Sequence, residues 1–322
     1  MKAPIFLFSL PRSGSTLLQR VLMGHQEIAS VAEPWLLLPF CYAARQEGVI
    51  SEYGHYVSAQ AFEDFIANLP EGEADYDRML REFAMALYAR QCRHNETYFL
   101  DKTPRYYLII EEIGRMFPEA KFIFLFRNPV HIMGSVIETW GKGSLRKLYA
   151  SDRDLHFGPE ALSRGCSLLK DRAYALRFED FVQDPQRYIR ELCSYLQIPY
   201  DSAMLDSFSQ QDTGGRMGDP TGVRDYSRIE TQPLDKWKTT FGTAYRRTIL
   251  RQYLERLDDS ALTLQGYDKE TILGEVNALK VVHRGGLRDR IDMLYSHMVR
   301  VVKPNIWFAP QTKAWSRNRF LY

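Results

Sequence analysis

The densest group of anion-seeking residues follows a short apolar run: Pro4 to Ser9 leads into Leu10-Pro11-Arg12-Ser13-Gly14-Ser15-Thr16. If the run is a strand and a helix begins at the end of this turn, several features converge on one point. They are the unpaired N–H groups of the first helical turn, the positive end of the helix dipole, the guanidinium of Arg12 and the hydroxyls of Ser13, Ser15 and Thr16. Gly14 lets the backbone approach closely. This chemistry suits a phosphate or a sulfate, and Arg12 plus three hydroxyls exceeds what capping alone needs. The turn has one Gly, and its basic residue precedes that Gly, so the G-x-x-x-x-G-K-[ST] loop of nucleotide triphosphatases is absent. The four cysteines, Cys41, Cys92, Cys166 and Cys193, are far apart with no C-x-x-C, and no metal cluster is read.

The elements that must hold such a turn can be read from periodicity. Residues 4–9 (PIFLFS) form an uninterrupted apolar run, the pattern of a strand buried on both faces, and Leu17, Leu18, Val21 and Leu22 recur at helical spacing before Gly24. The same unit returns as FIFLF, then Arg127-Asn128-Pro129, then a helix over 130–139 with Pro129 near its first position. A third strand is expected over 174–178. Amphipathic helices are expected around Met79, Leu80, Phe83, Leu87 and Tyr88, around Ile109 to Phe117, and from Tyr245 to Leu257. The class is therefore α/β, a mainly parallel sheet with helices on both faces.

Composition sets the outer limits. With 322 residues, 45% hydrophobic and 25% charged, the chain can bury a large core. The formal charge of +2 hides an asymmetry, −5 up to Leu279 and +7 beyond it. An acidic body argues against nucleic acid as a partner. Residues 1–264 are read as the catalytic domain and 265–322 as a basic appendage, helical in part. No secretory leader and no spanning segment is read, so a cytoplasmic location is expected, at most peripheral at the inner face of the membrane.

The string SLPRSGSTLL, followed by His25 and Glu33, resembles the 5′-phosphosulfate loop of sulfotransferases that use 3′-phosphoadenosine 5′-phosphosulfate (PAPS), in the PRSG[ST]TL subgroup that includes tyrosylprotein sulfotransferases. Three further segments are similar to that family: LDKTPRYY (100–107), FIFLFRNPVHIMGSV (122–136) and YALRFEDFVQDP (174–185). The resemblance implies a P-loop-like sulfotransferase fold and transfer of a sulfuryl group to a hydroxyl acceptor, with release of 3′-phosphoadenosine 5′-phosphate (PAP). A glycan or lipid-linked glycan is the favoured acceptor.

The resemblance also implies roles for individual residues. Arg12, Ser13, Gly14, Ser15 and Thr16 would hold the 5′-phosphate, and Arg127 and Ser135 the 3′-phosphate. Ser227 and Arg228 would close over the nucleotide. Glu33 would be the general base, and Lys102 would donate to the bridging oxygen. Phe178 stands where the family commonly has Tyr. Two other readings are kept: a P-loop-like ATP-dependent kinase, and a PAP-binding protein without turnover.

In the appendage, Leu287, Ile291, Leu294, Met298 and Val301 recur at steps of four and three, one apolar stripe on a helix. The helix is expected to pack on the body or on a second subunit, or else the tail to rest on an anionic membrane surface.

Overall fold

The structure is a computed structural model, and it describes residues 1–45, 55–211, 229, 234–281 and 286–302. Five strands, β1 (Ala3–Ser9), β2 (Ile28–Ser30), β3 (Tyr98–Asp101), β4 (Lys121–Phe126) and β5 (Ala173–Arg177), form one sheet in the order β2-β3-β1-β4-β5. All four pairings are parallel. β1 is central and buried along its whole length, which explains its unbroken apolar sequence.

Alternation along the strands sorts side chains to two cores. Phe6, Phe8, Phe122 and Phe124 face one side, stacked at ring separations of 6.0 to 6.2 Å except Phe8 and Phe124, which are tilted at 5.1 Å. Ile5, Leu7, Ile123 and Leu125 face the other. Against the aliphatic side pack α1 (Ser15–Met23), through Leu17, Leu18, Val21 and Leu22, and a later helix, Pro185–Leu196. The aromatic side is covered by α2 (Glu73–Gln91), α3 (Pro129–Thr139) and α4 (Ala244–Arg256). Tyr267, Ile272 and Val276, beyond residue 264, join the same core. The last described helix is α5 (Leu287–Val302).

Two strands, β2 and β3, were not legible in the sequence. β2 has three residues, and β3 (YFLD) lies directly before a polar segment, so neither reaches the length at which alternation shows. On α2 the helix is present, but Leu80, Ala84 and Tyr88 face the core while Met79 and Phe83 are exposed, Phe83 meeting Phe40 edge-on.

The stripe on α5 does not face the body. Asp289, Asp292, Ser296 and Val299 are its buried residues, whereas Leu287, Ile291, Leu294, Met298 and Val301 are 52% to 76% exposed. The helix does pack on the body, but through its polar face and not through the stripe. The inward face meets polar partners on the body, and complementary hydrogen bonding has set the helix's orientation.

Candidate active site

The turn after β1 emerges between the carboxyl ends of β3 and β4, the crevice where open parallel sheets gather ligands. Gly14 caps α1 with φ +85°, a conformation glycine adopts without strain. A Cβ there would come within 2.2 Å of the Phe178 ring. Phe178 thus fills the floor of the turn, and the Arg127 guanidinium lies 4.4 Å from its ring centroid. A residue that departs from the family's Tyr has a packing role here. Arg12 also has positive φ, +69°, in a region where non-glycine residues are held only by their surroundings.

Arg12 is held by residues more than a hundred positions away. Its Nε donates to Ser135 Oγ at 3.1 Å and its Nη2 to Thr139 Oγ1 at 3.1 Å, both on α3. Its carbonyl accepts from Arg127 Nη1 at 2.8 Å. Both strand-turn-helix units are thereby joined: Arg12, Arg127 and Ser135 form one connected group, and Thr139 is a member that sequence reasoning missed. The signal was available, because Thr139 lies one helical turn after Ser135 and so shares its face. Ser13 Oγ and Ser9 Oγ are buried and have no hydrogen-bond partner among the described residues. Buried hydroxyls in that state are uncommon and costly, and an anion seated in the turn would satisfy them.

The second group lies at the ends of β2 and β3. Lys102, 1% exposed, donates to Glu33 Oε1 at 2.8 Å and to Thr16 Oγ1 at 3.4 Å. Lys102 therefore reaches both the candidate base and the start of α1. Trp35 Nε1 donates to Glu33 Oε2 at 3.2 Å, so each carboxylate oxygen has its own donor. Trp35 itself has φ +53°, and its N–H donates to Thr103 Oγ1 at 3.3 Å.

Beneath this pair lies Asp101, fully buried. Burial pushes its carboxyl up to about 6, against the opposing pull of hydrogen bonds donated by the Tyr88, Thr103 and Tyr106 hydroxyls. Tyr106 Oη in turn accepts from the Leu37 N–H at 2.9 Å. The Asp101 cluster thus anchors the segment that carries Glu33.

His25 and His131 stand apart from transfer chemistry. His25 bridges the Glu27 N–H and the Pro199 carbonyl. His131 bonds Glu179 at 2.9 Å, which also accepts from the Asn128 N–H and from Tyr267 Oη. Burial pushes the Glu179 carboxyl up, but those three donors outweigh it and leave it below the usual range. Glu179, His131, Trp237 and Tyr267 help line an open cleft of about 1340 Å³. Arg12, Glu33 and Lys102 do not line it; among the described residues it meets the site at Asn128, next to Arg127. Ser227 and Arg228 lie outside the described residues.

Residues 4–202 match the model of the sulfotransferase family. The chain belongs to that family. Among its curated relatives is the nodulation protein NoeE of Sinorhizobium fredii, 34% identical over 137 residues, which are 42% of this chain and 31% of NoeE. The match therefore spans less than a third of that relative's length. A putative protein-tyrosine sulfotransferase of Caenorhabditis briggsae is 24% identical over 277 residues, 82% of this chain and 89% of the relative. Among solved structures, the sulfotransferase domain from the curacin biosynthetic pathway is similar with a TM-score of 0.53 and 25% identity, covering 74% of this chain and 92% of that domain. The sulfotransferase fold, a parallel sheet flanked by helices, agrees with the α/β reading.

Proposed function

We propose that this sulfotransferase-family chain moves a sulfuryl group from PAPS to a hydroxyl acceptor, a glycan or lipid-linked glycan, releasing PAP, and that it works in the cytoplasm. The observation that carries the reading is the contact of buried Lys102 with both Glu33 and Thr16, which joins an acid–base pair to the anion turn.

PAPS fits the residues present, because the turn offers α1's first N–H groups and the Ser13 hydroxyl, which has no partner among the described residues, and Arg127 and Ser135 add a second cationic corner linked through Arg12. Arg12 and Ser13 to Thr16 would hold its 5′-phosphate, Arg127 and Ser135 its 3′-phosphate, with Ser227 and Arg228 added from the long loop. Once bound, the donor supplies an activated sulfuryl group on a phosphate leaving group. The chain's own work is then positioning and proton transfer. Glu33 accepts the acceptor's hydroxyl proton, with Trp35 fixing the carboxylate plane. Lys102 and Arg12 supply positive charge where negative charge grows.

Calorimetric titration with PAP and with ATP, followed by a sulfate-transfer assay over glycan, lipid-linked glycan and phenol acceptors, tests this reading. Tight PAP binding with transfer to a glycan supports it. Preference for ATP with Mg²⁺ replaces it with a kinase, and PAP binding without transfer to any acceptor replaces it with a PAP sensor.

A further inference from the structure

We propose that α5 is a docking surface for an anionic lipid bilayer, lying flat on it through the face that points away from the body. The argument starts from how the helix is bound. Its inward face is polar and satisfied: Asp289 accepts twice from Arg246, at 2.8 and 2.9 Å, Asp292 accepts from Ser144 Oγ at 2.6 Å, and Ser296 Oγ accepts from the Tyr149 N–H at 3.0 Å. These bonds fix the rotation of the helix about its axis. The stripe Leu287, Ile291, Leu294, Met298 and Val301 must then point outward, and it is continuous along the helix. A contiguous exposed apolar face of this size marks an interaction site, since single surface apolar residues are ordinary but a row of five is not.

Charge decides the occupant. At 3.6 residues per turn, Arg288 and Arg290 fall on opposite sides of the stripe, both exposed, and His297 lies beside Arg290. The helix has only two acids, Asp289 and Asp292, and both are turned inward. The outward face is therefore apolar with a basic border and no carboxylate. Pairing with a second copy of α5 would bring basic borders together with nothing to neutralise them. An anionic lipid surface complements the same borders and takes up the apolar row, the arrangement of an interfacial amphipathic helix. The sequence that continues past Val302 adds Lys303, Lys313, Arg317 and Arg319 and no acid, so its charge has the same sign. Among the described residues no helix is long and apolar enough to cross a membrane, so the contact is lateral. α5 rests on residues 144–149, just after α3, which carries Ser135 and Thr139.

The test uses the full chain and vesicles of phosphatidylcholine with and without phosphatidylglycerol, read by co-sedimentation. Binding is expected to the anionic vesicles only, weakened by salt. It should fall by about tenfold or more in Ile291→Ser/Leu294→Ser and, separately, in Arg288→Glu/Arg290→Glu, with melting temperature and elution volume unchanged. Because the substituted side chains are exposed, both variants should fold, and each checks the other. Three results overturn the proposal: no binding to anionic vesicles; binding that survives both variants, which assigns it elsewhere in the chain; or a dimer that Leu294→Ser splits while vesicle binding is absent, which assigns the stripe to a second copy.

Discussion

The anion turn and α5 both bury polar residues, and they differ in whether that polarity is satisfied. In α5 each buried polar side chain has found its complement on the body, Asp289 with Arg246, Asp292 with Ser144 and Ser296 with the Tyr149 N–H. What remains unsatisfied on that helix is apolar and faces outward. In the turn, the apolar residues of β1 and α1 are fully packed, and what remains is polar: the Ser13 hydroxyl is buried without a described partner. Unmet polarity at the carboxyl end of a parallel strand points to a small charged ligand, whereas an unmet apolar row with basic borders points to an extended surface. The difference separates a site that binds a molecule from a face that meets an interface.

The largest effect that could break this comparison is at the transfer site. Glu33→Gln should lower turnover by about 10²-fold or more while PAP affinity stays within about a factor of three, as expected for a group acting on the acceptor. Steady-state assays with PAP titration check this, and near-normal turnover would move the base away from Glu33.

Next in size is the polarity beneath Lys102. Asp101 has its folded value raised above that of an unfolded aspartate, so its contribution to stability is fully present below about pH 4 and is lost as pH rises through about 6. The deficit of Asp101→Asn relative to the parent chain should therefore shrink, on the order of 2 kcal/mol, between pH 4 and pH 6.5. Urea unfolding of both proteins across that range measures it, and a constant deficit would mean that Asp101 is already ionised at pH 4.

Arg127→Ala should weaken PAP binding by about 1.5 to 3 kcal/mol and barely change the binding of adenosine 5′-phosphosulfate, which lacks the 3′-phosphate. Equal losses for the two ligands, measured by calorimetry, would remove the 3′-phosphate assignment. On α5 the comparison predicts an inversion of the ordinary rule for amphipathic helices. Asp289→Ala, which takes the carboxylate from Arg246 and leaves it the Thr240 and Gly143 carbonyls, should cost about 2 kcal/mol of stability, and Leu294→Ser should stay within about 0.5 kcal/mol. Thermal unfolding of the pair decides it: a costly Leu294→Ser would show the stripe covered in solution.

The sequence by itself determined the two strand-turn-helix units, the anion turn and the parallel α/β class. All of these are written locally, in the apolar runs of β1 and β4, the helical spacing after them and the hydroxyls and Gly14 between. Arg12, Glu33, Lys102, Arg127 and Ser135 could be named from their motifs, but their connections could not. Lys102 and Glu33 are 69 positions apart, and Arg12 and Ser135 are 123 apart. Such pairs meet only because β2 lies beside β3 and β4 beside β1, and residue spacing does not carry strand order. β2 and β3 are too short to announce themselves, and Phe178 gains its role only when Gly14 is brought against it. The same holds for α5. Periodicity gave the stripe its place on the helix, but a stripe has no direction. Arg246, Ser144 and the Tyr149 N–H, all distant in the chain, turned the polar face inward, since a carboxylate buried without partners costs more than an apolar row left exposed.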